Sequence, residues 1–162
     1  MTQTQILSAK RCESHFGKAR TSRMDQRSAD GIRYERRLSR SLAILAKEQG
    51  LILEYQPWFE YKTPVDITNY CAPDFLLYEP NGTWVIVIDA KRSFYPQALD
   101  KLRTLYVPVV SKSFQRLALV YPLMICRDLI PGCPKPIEFL HESITTPLTS
   151  VYHWLGQGSL TW

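Results

Sequence analysis

Apolar positions along the chain switch between a helical period and a strand-like one. In residues 30–47, Tyr34, Leu38, Leu42 and Leu45 recur at spacings of four, four and three, the mark of a helix with one buried face. Ser28 or Asp30 can cap its start, and Gly50 stands where helices commonly end in the left-handed conformation. Residues 51–62 (LILEYQPWFEYK) are rich in aromatic and branched side chains and predict one strand interrupted at Pro57. After residue 95, Pro96 suits the first turn of a helix. Leu99, Leu102 and Leu105/Tyr106 give that helix a buried face that ends before Pro108. Residues 116–126 predict a further strand, and Thr146-Pro147 is a reasonable helix start in an otherwise Pro-rich tail. The order helix, strand, strand, strand, helix, strand predicts an α+β fold with a mixed β-sheet flanked by helices.

Two of those strands form a predicted hairpin whose charges stand in unusual places. The apolar arms, residues 75–78 and 84–88, flank Asn81-Gly82, the dipeptide of a two-residue type I′ turn. Pairing outward from Pro80 opposite Thr83 sets Asp74 opposite Asp89. Their Cβ atoms would then lie roughly 4.5–5.5 Å apart on one face. Side chains alternate along a strand, so Lys91 shares the face of Asp89. Opposed like charges destabilise a sheet unless something neutralises them. A divalent cation with oxygen ligands would do so, since Mg²⁺ commonly uses one or two carboxylates plus waters and phosphates. The alternative is a hairpin whose charged residues simply reach solvent at the strand ends. Glu35 borders the buried stripe of the first helix and needs a partner as well. One of its neighbours Arg33, Arg36, Arg37 and Arg40 could serve, or the cation held by Asp74 and Asp89.

Charge changes the picture further. The first 40 residues carry ten Lys/Arg against four Asp/Glu, while the whole chain of 162 residues nets +5. The basic excess therefore lies at the N-terminal end, which suits contact with phosphates. A solvated leader is the other reading, and both can hold for one segment. The opening residues lack the apolar core of a signal peptide, and no stretch is long enough to span a membrane. A cytoplasmic protein is the expectation, with Cys12, Cys71, Cys126 and Cys133 as free thiols. Nucleophile-elbow, P-loop and zinc-protease motifs are absent, and His15, His141 and His153 are scattered.

The acids, the lysine and the basic surface together suit metal-dependent hydrolysis of a phosphodiester. Asp74, Asp89 and the Ala90 backbone carbonyl can hold Mg²⁺ or Mn²⁺, with Glu35 completing the shell directly or through water. Lys91 can orient or deprotonate a water, or offset charge in the transition state. Arg33, Arg36, Arg37, Arg40, Arg92, Lys101 and Arg103 are candidate contacts to the DNA backbone.

The spelling Pro73-Asp74 … Asp89-Ala90-Lys91 resembles the PD-(D/E)xK signature of the restriction-endonuclease-like nucleases. With Glu35, LEYQPWFEY and YCAPDFLLYEPNG before it, the middle of the chain is most similar to the bacteriophage endonuclease I family of Mg²⁺-dependent Holliday-junction resolvases. That resemblance implies a restriction-endonuclease-like core, cleavage of branched DNA, a homodimer and catalytic roles for Glu35, Asp74, Asp89 and Lys91. It departs from the family where Asp89 replaces a glutamate, in a longer arm before the helix, and beyond about residue 127. With residues 1–28 lacking periodicity, the chain divides into a basic, partly ordered arm (1–28), a nuclease core (29–128) and a C-terminal extension (129–162) that packs on the core or on a dimer partner. The motif string is also similar to the nicking subunit of heteromeric transposases, which works beside a partner recombinase. Sequence-specific restriction or repair endonucleases share the superfamily. A non-catalytic nucleic-acid-binding protein of the same fold is a further alternative. A bacterial, phage or mobile-element context follows from either enzyme family.

Overall fold

A computed structural model describes residues 5–13, 26–65, 67–92, 96–114 and 119–127, without the side chains of 26–28 and 30, and the backbone of 151–153. Its elements in chain order are β1 (Ser8–Arg11), α1 (Gln26–Gln49), β2 (Ile52–Tyr55), β3 (Phe59–Lys62), β4 (Thr68–Cys71), β5 (Phe75–Tyr78) and β6 (Trp84–Lys91). After them come α2 (Pro96–Lys101), a π-helical turn (Leu102–Tyr106), α3 (Val107–Ser113), β7 (Leu119–Cys126) and β8 (Val151–His153). A five-stranded mixed sheet has the order β2-β5-β6-β7-β8, with β2, β5 and β6 antiparallel and β6, β7 and β8 parallel. The α+β class with a mixed sheet flanked by helices is therefore present. A second sheet of order β1-β3-β4 was not anticipated.

The large sheet is covered on both faces, which explains why β6 reads as a nearly unbroken apolar run. On one face α1 buries Tyr34, Leu38, Leu42 and Leu45 against Phe75, Leu77, Ile86 and Ile88. Burying each of these four helix side chains contributes roughly 1.5–3 kcal/mol. On the other face Leu76, Val85 and Val87 meet Leu102, Tyr106, Val109 and Val110, with Phe59 and Cys71 of the small sheet. α1 ends as expected. Gly50 adopts φ +66° and the Leu51 N–H returns to the Ala46 carbonyl at 2.7 Å. Its start differs from expectation, because Ser28 and Asp30 lie inside the helix and not at its cap. The buried stripe fixes which face turns inward but says nothing about how far the exposed first turns extend.

Three further expectations are corrected. Residues 51–62 are not one interrupted strand: β2 joins the large sheet and β3 the small one, and the chain changes sheet at Gln56, Pro57 and Trp58. The helix after Pro96 does not stop before Pro108. A regular α-helix would set the proline ring against the carbonyl four residues back. Here the widened turn, closed by the Val107 N–H on the Leu102 carbonyl, precedes Pro108 and lets α3 continue to Ser113. The hairpin turn is not type I′ either. Gly82 is at φ +68° while Asn81 is not at positive φ, and the Gly82 N–H donates to the Glu79 carbonyl at 2.9 Å. Pro80 and Asn81 are thus the central residues, as the fixed φ of proline favours.

The paired residues nevertheless keep the predicted register, Phe75 opposite Ile88 and Tyr78 opposite Val85. Cys12, Cys71 and Cys126 are free thiols, and burial pushes the Cys71 thiol up to about 12. Among the described residues no helix is long and apolar enough to cross a membrane. The helix start expected at Thr146-Pro147, with Cys133, His15, His141, Trp154 and Trp162, lies outside the described residues. In the tail, the backbone of Val151–His153 pairs with Met124–Cys126 as an outer strand.

Candidate metal and catalytic site

Three charged side chains meet where the β5–β6 hairpin opens. Asp74 directly precedes β5, and Asp89 and Lys91 lie on β6 with one residue between them, so all three share the face that packs on the π-helical turn. Lys91 Nζ lies 2.8 Å from Asp89 Oδ2, 3.8 Å from Asp74 Oδ2 and 3.3 Å from the Ala90 carbonyl oxygen. The ammonium thus occupies a point on which two carboxylates and a main-chain oxygen converge. Asp74 Oδ2 also accepts the Ala90 N–H at 2.7 Å. That bond fixes the carboxylate against β6.

Burial makes these charges costly. Asp89 is 4% exposed and is the one buried charged residue among those described. Desolvation, and then repulsion from Asp89, push Asp74 up to about 7 despite the offsetting Lys91 charge. Burial alone would lower the Lys91 pKa, but Asp89 and Asp74 outweigh it and hold the ammonium above its usual range. One lysine charge is shared by two carboxylates, which leaves Asp74 ready to take a proton or accept a second cation.

Glu35 stands on the other side of the sheet from this cluster. It projects from α1, and its Oε1 accepts a hydrogen bond from Gln56 Nε2 at 2.9 Å. The Tyr55 hydroxyl also bonds to Glu35, and burial together with that acceptor raises Tyr55 to about 12. The observed partners of Glu35 are therefore an amide and a phenol that the sequence did not single out. Glu35 in turn adds to the negative field that raises Asp74.

Among the described residues no three His, Cys, Asp or Glu side chains stand close enough to hold a metal ion by themselves. The oxygens around Lys91 Nζ still suit a hard divalent cation. Mg²⁺ needs only one or two protein carboxylates, with other oxygens completing the shell, and Asp74, Asp89 and the Ala90 carbonyl would be the donors here once the Lys91 ammonium moved from the point it occupies between them.

No family model matches the chain, and no curated protein or solved structure matches it either. Function therefore rests on the geometry of this site and its surroundings. Arg33, Arg36, Arg37 and Arg40 are exposed along α1, and Arg36 lies close enough to Tyr55 to act on its hydroxyl. Lys101 and Arg103 are exposed on α2 and the π-helical turn, Arg92 is exposed just past β6, and Lys101 Nζ lies 4.9 Å from the centre of the Tyr106 ring. The sequence places Tyr106 on the buried face of the helix after Pro96 but does not mark it as a neighbour of the acids. It is buried on the π-helical turn, and desolvation with the nearby Asp89 and Asp74 raises its hydroxyl, which keeps it a neutral neighbour of the acids. Such turns frequently mark functional sites, but nothing in the sequence before Pro108 announces one.

Proposed function

We propose that the protein is a metal-dependent DNA endonuclease that hydrolyses phosphodiester bonds, with preference for branched DNA. The observation that carries this reading is the convergence of Asp74, Asp89 and the Ala90 carbonyl on the Lys91 ammonium, with the acids largely buried and the lysine one-third exposed.

Asp74, Asp89 and the Ala90 carbonyl are the groups that would hold Mg²⁺ or Mn²⁺, and Glu35 would complete the shell through water. The bound ion would polarise the phosphoryl group and lower the pKa of water. Within the chain's own residues, Asp74 must be ionised to hold the ion, so its raised pKa sets a proton in competition with the metal below about pH 7. Lys91 keeps its proton because both aspartates face it. It therefore serves as a fixed positive charge beside the scissile phosphate, where negative charge develops in the transition state. Exposed Arg36, Arg37 and Arg40 on α1, and Lys101 and Arg103 on α2 and the π-helical turn across the sheet, give two basic banks on which the DNA backbone can lie.

Branched DNA, a homodimer and the four catalytic roles come from the resemblance to phage endonuclease I. The test is a cleavage panel of labelled four-way junction, linear duplex and transposon-end DNA, each with Mg²⁺ or EDTA. The expected result is junction cleavage by wild type with Mg²⁺ and none by Lys91→Ala. Equal inactivity of both proteins on every substrate would overturn the reading. Preferential nicking of transposon-end DNA would move it to a transposase subunit with a recombinase partner.

A further inference from the structure

Gln56 is the one described non-glycine residue at positive φ, +46°. It also precedes Pro57, a position where proline disfavours α-type backbone in the residue before it. Glutamine has no local reason to adopt this conformation, which costs of order 1–3 kcal/mol. Two contacts account for it. The Gln56 N–H donates to the Asp74 carbonyl at 2.8 Å, extending β2 pairing past its last residue. Its side-chain amide donates to Glu35 Oε1 at 2.9 Å. One strained residue therefore ties the backbone of Asp74, on one face of the large sheet, to the carboxylate of Glu35, which comes from the helix on the other. Tyr55, half exposed and with its ring tilted against Phe75 at 5.5 Å between centres, holds the same carboxylate through its hydroxyl.

We infer that Gln56 is a positioning residue that holds the Glu35 carboxylate toward Asp74 and thereby sets the affinity of this site for a divalent cation. The inference rests on the nuclease reading and extends it to a residue outside the acid-acid-lysine motif. Ligand-orienting groups of this kind typically change metal affinity by ~10–100-fold when removed. Two substitutions separate the side chain from the backbone. Asparagine tolerates positive φ and keeps an amide, but is one methylene too short to span to Glu35. Glycine relieves the strain and removes the amide altogether.

The experiment uses the full chain and two readouts. The first is the Mn²⁺ concentration that half-saturates the shift in melting temperature without DNA; the second is the Mg²⁺ dependence of junction cleavage. Gln56→Asn and Gln56→Gly are expected to raise the Mn²⁺ midpoint by ~10-fold or more, with cleavage largely recovered at saturating metal. In a Glu35→Gln background the same substitutions are expected to change the midpoint by less than about twofold, because the amide acts through Glu35. A metal-responsive wild type with both Gln56 variants inside twofold of it overturns the inference alone. So does an effect that persists undiminished with Glu35→Gln. A wild type whose melting no Mn²⁺ concentration shifts, and which cuts no DNA, overturns the nuclease reading and the inference with it.

Discussion

Lys91 Nζ lies 2.8 Å from Asp89 Oδ2, an ion pair whose acid is almost wholly buried while the lysine remains one-third exposed. Removing the lysine would leave two carboxylates with only each other and the Ala90 N–H. Breaking a buried pair on one side typically costs several kcal/mol, unless the orphaned charge takes up a proton.

Lys91→Ala is therefore expected to lower cleavage by 10²-fold or more, the usual scale for one electrostatic group in a transition state. It is also expected to destabilise the protein by about 2–4 kcal/mol at alkaline pH, and by less in acid, where Asp74 is protonated. Millimolar Mn²⁺ should restore most of that stability while activity stays low. Thermal unfolding with and without Mn²⁺, beside the cleavage rate, checks both halves.

Asp74 sets the pH dependence. Desolvation and Asp89 push it up to about 7, so between roughly pH 4 and 7 the folded protein holds a proton that the unfolded chain has released. A raised acid contributes stability that is present in full below its unfolded pKa and is lost as pH rises through its folded value. Wild type is thus expected to lose stability from about pH 4 to 7, and Asp74→Asn to lose much less. At about pH 8 the variant should be the more stable by roughly 1–3 kcal/mol, yet inactive. The Mn²⁺ midpoint of wild-type melting should fall as pH rises toward 7, because ion and proton compete for Asp74. Denaturant midpoints across pH test the sign; a wild-type curve no steeper than that of Asp74→Asn would be the wrong outcome.

The parts of this site that local rules govern were legible in the sequence. Asp74 and Asp89 came into register because Leu76, Val85 and Val87 must all face one core, and a one-residue slip would turn each to the other face. The arms set that register, which is why it survives a turn centred on Pro80-Asn81. Gln56 was not legible because it goes against local preference twice, in its positive φ and in its place before proline. Only Asp74 and Glu35, distant in the chain, explain it. β1 was missed for another reason: SAKR has no apolar alternation. It pairs with β3 through backbone bonds, with Lys10 on Glu60 at 3.3 Å and Arg11 lying 4.9 Å over the Phe59 ring. Such partners are invisible until the small sheet exists.

The hairpin turn gives a prediction about backbone alone. Only Gly82 is at positive φ, and a Cβ added there would meet nothing within 4 Å. Gly82→Ala is therefore expected to cost about 1 kcal/mol, all of it conformational. Asn81→Ala should cost under about 0.5 kcal/mol, because that position already lies in an ordinary region. A type I′ turn would penalise both substitutions alike. Chemical denaturation of the two variants separates the geometries.

The basic banks differ in what they should do to binding. Arg36, Arg37 and Arg40 are exposed on α1, where they can meet phosphates without disturbing the core beneath. Each such contact releases counterions, so its loss lowers the slope of log affinity against log salt by about 1. Arg36→Ala and Arg40→Ala are expected to weaken junction binding evenly across sequences and to reduce that slope, while leaving the Mn²⁺ midpoint of melting unchanged. Anisotropy titrations in EDTA at several salt concentrations read the slope without cleavage. If both arginine variants keep the wild-type slope while Lys101→Ala and Arg103→Ala reduce it, the DNA lies on the π-helical side of the cluster. Lys91 would then meet the phosphate from the bank that carries Tyr106, not from α1.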